Sequence, residues 1–161
     1  MGAAGAALLA ASHWLGTAYA APRERSIYSA RASSLVKALA PVVLEGVLPA
    51  AEDERVRAIE DIAVGFGVSL AALGSEAQED FAQLFNFLDF APTRIAFAGL
   101  WRPLDESSPA ELREFLQRWR FSRHDVQQAG YQALTQLIQA AWYDLPAAWP
   151  RIAYPGPPRL A

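Results

Sequence analysis

The stretch DVQQAGYQALTQLIQAAWY, residues 125–143, decides the fold. Its apolar positions Gly130, Leu134, Leu137, Ile138, Ala141 and Trp142 recur at the three-and-four spacing of a single helix face. Gln127, Gln128, Gln132, Gln136 and Gln139 fill the opposite face, and Val126 to Tyr143 holds no acidic or basic residue. Five amides make this helix too polar to span a bilayer. Neutral amides avoid the desolvation cost of charge, so the helix suits burial on more than one side, in the domain or against a partner. A solvated glutamine face fits the same residues.

Working outward, the remaining segments also read as helices. Upstream, Ser108 and Pro109 supply an N-cap and a first-turn proline, with Glu111 in the first turn. Leu112, Phe115, Leu116 and Trp119 form a clean stripe, and Glu114 with Arg118 gives an i,i+4 pair. Arg94 to Trp101 reads as a short helix after Pro92. Phe81, Leu84, Phe85 and Leu88 form another stripe, started by a capping box between Ser75 and Gln78, while Phe87 and Phe90 fall off it. The run Glu52 to Arg55 leads into Val56, Ile59, Ala63 and Phe66, and Leu35, Val36, Leu39, Val43 and Leu44 mark a helix that Pro41 should kink or break. No useful strand alternation appears. The expected fold is all-α: a single irregular helical domain of about five to six helices with an extended Pro-rich C-terminal strap.

The strap follows from the proline count. Five of the eleven prolines and a tryptophan, Trp149, fall within residues 145–161, where φ is fixed and backbone donors are lost. Residues 23–144 would form the helical domain. Residues 1–22 resemble an export signal: Ala, Gly and Leu dominate, Ala18 and Ala20 give a small-residue cleavage pattern, and Arg23-Glu24-Arg25 follows. No basic residue precedes this segment, as in a truncated twin-arginine signal or an uncleaved Ala-rich anchor.

Composition removes whole function classes. The chain has 161 residues, net charge −3 and one lysine, Lys37, which argues against nucleic acid as a partner. Zero cysteines exclude disulfides, zinc-thiolate sites, iron–sulfur clusters and covalent c-type haem. Gly65-Phe66-Gly67 is no phosphate loop, and His124-Asp125 reads as a helix start rather than part of a triad. Asp80 with Asp89, and Glu60 with Asp61, are the conceivable acid–base pairs, on faces expected to be solvated. No metal constellation has plausible spacing. The expectation is no catalytic, cofactor or metal residue in this chain. Trp101, Trp119, Trp142 and Trp149 read as core or interface before they read as a ligand pocket.

Three features carry a family resemblance: Leu39-Ala40 through Val47-Leu48-Pro49, the Phe-rich central helix before Leu104-Asp105, and Tyr143…Trp149…Tyr154-Pro155-Gly156-Pro157-Pro158. Over roughly residues 30–158 the chain resembles the gluconate 2-dehydrogenase subunit 3-like family, small accessory subunits of membrane-associated, FAD-dependent GMC-type dehydrogenases. Ala153 stands where that family usually has glycine. The resemblance implies a non-catalytic subunit that binds, stabilises and helps export a large FAD-dependent oxidoreductase. It also implies a periplasmic location at the inner membrane, FAD on the large subunit, and c-type haem on a third, cytochrome subunit. Membrane association would be indirect or through an uncleaved N-terminus. The partner interface expected from the sequence is Trp142, Tyr143, Trp149, Tyr154, Pro155, Gly156, Pro157 and Pro158. The alternative reading is a stand-alone periplasmic binding protein for an apolar ligand.

Overall fold

Alanine, leucine and well-placed turn residues convert the 3.6-residue periodicity into six α-helices in a computed structural model that describes residues 30–149. They are α1 (Ala30–Val43), α2 (Glu52–Ala71), α3 (Ser75–Asp89), the single turn α4 (Ala91–Thr93), α5 (Pro109–Arg120) and α6 (Asp125–Tyr143). A π-helical turn, Arg94–Ala98, continues α4, and a 3₁₀ turn, Leu104–Glu106, precedes α5. The domain is all-α, with no strand among the described residues.

Helix α6 packs on α1, α2 and α5, so the helix that decided the fold is also its centre. Its buried residues are Ala129, Gly130, Leu134, Thr135, Ile138, Ala141 and Trp142, the expected stripe widened by one polar side chain. The Thr135 hydroxyl is satisfied by donating to the Tyr131 carbonyl at 2.7 Å. Leu137 is only half-buried. Against α6 stand Leu35, Val36, Leu39 and Ala40 of α1, then Ile62, Phe66 and Leu70 of α2, and Phe115 and Trp119 of α5. Phe66 extends this core to α3, where Phe81 and Phe85 lie with ring centroids 6.0 and 6.1 Å away.

The helix ends follow local chemistry. Ser108 accepts from the Glu111 amide while Glu111 accepts from the Ser108 amide, a complete capping box. At α3 the expected box does not form. Gly74 is the N-cap, and the Gln78 amide instead reaches back to the Ala71 and Leu73 carbonyls at 3.0 and 2.8 Å. One carbonyl ends α2 and the other lies in the three-residue connection, and neither has a helical donor there, so satisfying them outcompetes the cap. Helix α1 runs through Pro41 to Val43, with the Leu44 amide still bonded to Ala40. One lost bond near the end of a helix costs less than one in its middle, and Gly46, at φ 82°, then turns the chain. On α2 the buried face begins at Ala58, leaving Val56 half exposed.

Candidate partner-binding surface

Two glycines set how closely the helices around α6 approach. A Cβ on Gly65 of α2 would lie 3.5 Å from the Ala141 Cβ, so these two helices already touch at ordinary van der Waals distance. A Cβ on Gly130 would lie 2.5 Å from the Trp119 ring, so α5 sits tighter on α6 than any side chain allows. Trp119 is fixed there by an edge contact to Phe115 at 4.7 Å and by its indole N–H, which donates to the Phe97 carbonyl at 3.2 Å.

The Gly65–Ala141 seam has a solvent side, and helix geometry says which residues border it. Val64 and Val68 flank it on α2, both 67% exposed; Ala140 and the half-buried Leu137 flank it on α6. No charge occurs between Asp61 and Glu76 or between Asp125 and Asp144, so a neutral face runs across both helices. Exposed Gln136, Gln139 and Tyr143 widen it on α6. Gln127 and Gln128 do something else: they are half-buried and cap carbonyls of Phe97 and Ser122, at 2.9 and 2.6 Å. The glutamine face therefore divides into a capping pair and a solvated remainder.

The interface residues expected from the sequence separate in the same region. Tyr143 is 44% exposed at the end of the neutral face. Trp142 is not on the surface: it is 1% exposed and among the largest fully buried side chains, because its position on α6 falls in the middle of the apolar stripe. Trp149 is half-buried, with its indole N–H donating to the Tyr143 carbonyl at 3.3 Å. The first strap residues are not extended. Leu145, Ala148 and Trp149 make successive tight turns back onto the core, and Ala148 is completely buried. Ala18, Ala20, Tyr154, Pro155, Gly156, Pro157 and Pro158 lie outside the described residues.

A second feature was not singled out in the sequence. A cleft of about 640 Å³ opens between the start of α1, the end of α3 and the 3₁₀ turn, lined by Leu35, Phe85, Leu88, Leu104 and Arg94 among others. Arg94 is 5% exposed, and its Nη1 donates to the Asp89 carbonyl at 2.7 Å and toward Leu88 at 3.5 Å. It thus caps the C-terminal end of α3, where a cation is favoured. Its Nε has no hydrogen-bond partner. The π-helical turn that carries Arg94 ends at Gly99, whose φ of 65° is left-handed. None of the four tryptophans considered for a pocket lines this cleft.

The conceivable acid–base pairs do not converge. Asp80 and Asp89 stand nine positions apart on α3, roughly 13 Å along its axis. Asp89 pairs with Arg31 at 3.1 Å. Burial, followed by the charges of Glu76 and Glu79, pushes the Asp80 carboxyl above its ordinary value. Glu60 pairs with Lys37 at the surface. His124 is the exposed N-cap of α6, with Asp125 in its first turn. Among the described residues no group of His, Cys, Asp and Glu is placed to hold a metal ion. No helix there is long and apolar enough to cross a membrane.

No family model matches the chain, no curated protein is significantly similar to it, and no solved structure matches it.

Proposed function

We propose that this chain is a non-catalytic accessory subunit that clasps a large FAD-dependent GMC-type oxidoreductase in the periplasm, stabilising it and assisting its export. The observation that carries the reading is the neutral face of α2 and α6, bordered by Val64, Val68, Ala140 and Tyr143. Loss of charge from the centre of a contact area is what distinguishes interfaces from ordinary surface. Trp149, one of the residues that carry the family resemblance, donates its indole N–H to the carbonyl of Tyr143 at the end of that face. FAD would belong to the large subunit and c-type haem to a cytochrome subunit, neither requiring a ligand from this chain.

The test is affinity purification of the full chain, tagged and expressed in its native host. The expected result is co-purification of a larger polypeptide with flavin absorbance. Val64→Asp with Val68→Asp should abolish that capture while leaving helicity by circular dichroism unchanged, since both side chains are already in water. A chain that purifies as a well-behaved monomer without flavoprotein would sink the reading. Deleting residues after Trp149 gives a cleaner test of the strap than deletion after Asp144, which would also strip Ala148 from the core.

The cleft beside Arg94 favours one alternative, a stand-alone periplasmic protein that binds an apolar ligand. Leu35, Phe85, Leu88 and Leu104 supply an apolar wall, and the Arg94 guanidinium a polar anchor at its back. A rise in melting temperature with medium-chain carboxylates, absent in Leu35→Trp, would favour this reading over the subunit.

A further inference from the structure

The cleft between α1, α3 and the 3₁₀ turn holds a cation that no acid balances. Arg94 is 5% exposed and belongs to none of the ion pairs among the described residues. Buried charges are ordinarily paired, because desolvation penalises a lone ion. Its Nη1 is taken by the Asp89 carbonyl, whereas Nε has no partner and Nη2 makes no hydrogen bond among the described residues. The backbone fixes the residue from both sides: the Arg94 amide donates to Phe90 at 2.9 Å, and its carbonyl accepts from Leu100 at 3.4 Å. The turn that does this is π-helical, a rare geometry frequent at functional sites. Capping α3 does not account for it, since one nitrogen suffices there and the Thr93 hydroxyl already takes the Phe87 and Phe90 carbonyls at 2.5 and 2.9 Å.

The remaining charges of the lining are four. Arg31 and Asp89 pair with each other at 3.1 Å and cancel. Asp105 and Glu106, adjacent on the 3₁₀ turn, are exposed and form no ion pair among the described residues. Leu35, Phe85, Leu88 and Leu104 supply the apolar wall. A plain carboxylate would satisfy Arg94 but face both unpaired acids. A plain amine would satisfy the acids and leave Arg94 bare. Only a ligand charged at both ends answers all three groups.

We infer that the cleft binds a short apolar peptide by its two free termini, the C-terminal carboxylate at Arg94 and the N-terminal ammonium at Asp105 and Glu106. The remaining N–H groups of a guanidinium match the paired oxygens of a carboxylate. Asn86, exposed on the same lining, offers an amide that can donate to or accept from a peptide backbone. The volume of about 640 Å³ lies mid-range for sites that enclose drug-sized ligands, which suits a di- or tripeptide. The inference rests on the second reading above only in taking the cleft as a ligand site. No residue bordering the α2/α6 face lines it.

The experiment is isothermal titration calorimetry of the full chain with the tripeptide Leu-Ala-Leu, its N-acetyl form, its C-terminal amide, and octanoate. The free tripeptide is expected to bind, and each blocked form to bind roughly 10- to 100-fold more weakly, the loss of one charge-assisted contact. The amide tests Arg94 without touching the fold, whereas an Arg94 variant would also lose the cap on α3. D105N/E106Q, on an exposed turn, should bind the free and N-acetyl peptides alike while still preferring the free carboxylate to the amide. Equal affinity for free and blocked peptides overturns the inference. So does a D105N/E106Q variant that still discriminates against the N-acetyl form. Binding of octanoate without binding of the tripeptide overturns the assignment of the two ends and keeps the cleft as a ligand site. Binding of neither removes the second reading as well.

Discussion

The two ends of α6, roughly 28 Å apart, solve opposite problems with similar residues. At the N-terminal end Gly130 lets Trp119 press into the helix, glutamines cap neighbouring carbonyls, and arginines with exposed rings crowd the surface. At the C-terminal end Gly65 meets Ala141 at ordinary distance, glutamines are solvated, and no charge occurs until Asp144 caps the helix. A glycine or a glutamine in a helix therefore has no fixed meaning. What stands across from it determines whether it is required.

The largest effect that tests this contrast belongs to Trp142 against its neighbour. Trp142→Ala should cost about 3–5 kcal/mol in chemical denaturation, because a fully buried indole leaves a cavity in the core. Tyr143→Ala should cost under about 1 kcal/mol and instead weaken partner capture. Equal losses would mean that the end of α6 is not divided between core and surface. Next comes the glycine pair. Gly130→Ala should lose about 1–3 kcal/mol, since the Trp119 ring is held from two sides and cannot withdraw freely. Gly65→Ala should be neutral or gain up to about 1 kcal/mol from helix propensity. If both substitutions shift the melting temperature alike, the difference in packing between the two ends is not real.

How far the sequence disclosed these differences depends on the range of the interaction. The α6 stripe and the Ser108 cap are local: the first is periodicity, the second a serine before a first-turn proline, and the structure keeps both, with only Leu137 of the stripe left half-buried. Gln78 departs from the expected cap because its acceptors are the last carbonyl of the preceding helix and one of the connection after it, which the spacing to Ser75 does not report. Val56 looked like core because a stripe can be counted from either of two adjacent positions until its partner helix is known. Trp142 was placed at an interface by the company of prolines and aromatics after it, although its own spacing to Leu134 and Ile138 already put it inside. Arg94 carried no signal, since an arginine after a proline turn usually lies in water. Its burial depends on α3 ending where it does.

Two carboxyls with opposite shifts give the smaller predictions. At the start of α5, the Ser108 amide and hydroxyl, and then the Arg102 charge, hold Glu111 below its ordinary value of 4.5. A carboxyl lowered on folding adds stability above its unfolded value and loses it as pH falls through the folded one. Loss of the N-cap in Ser108→Ala should cost about 1 kcal/mol, and Glu111→Gln should flatten the acid side of the melting curve. In the first turns of α3 the sign reverses. Asp80 is raised above 3.8 by burial first and by Glu76 and Glu79 second, so its charged form is disfavoured in the folded chain. Its ionisation opposes folding at neutral pH, and the opposition fades as pH falls through the raised value toward 3.8. Asp80→Asn should raise the melting temperature slightly at pH 7, by a stability increment within about 0.5 kcal/mol. The increment should vanish in acid. A gain that persists at low pH would trace to packing at the start of α3 and not to the charge of Asp80.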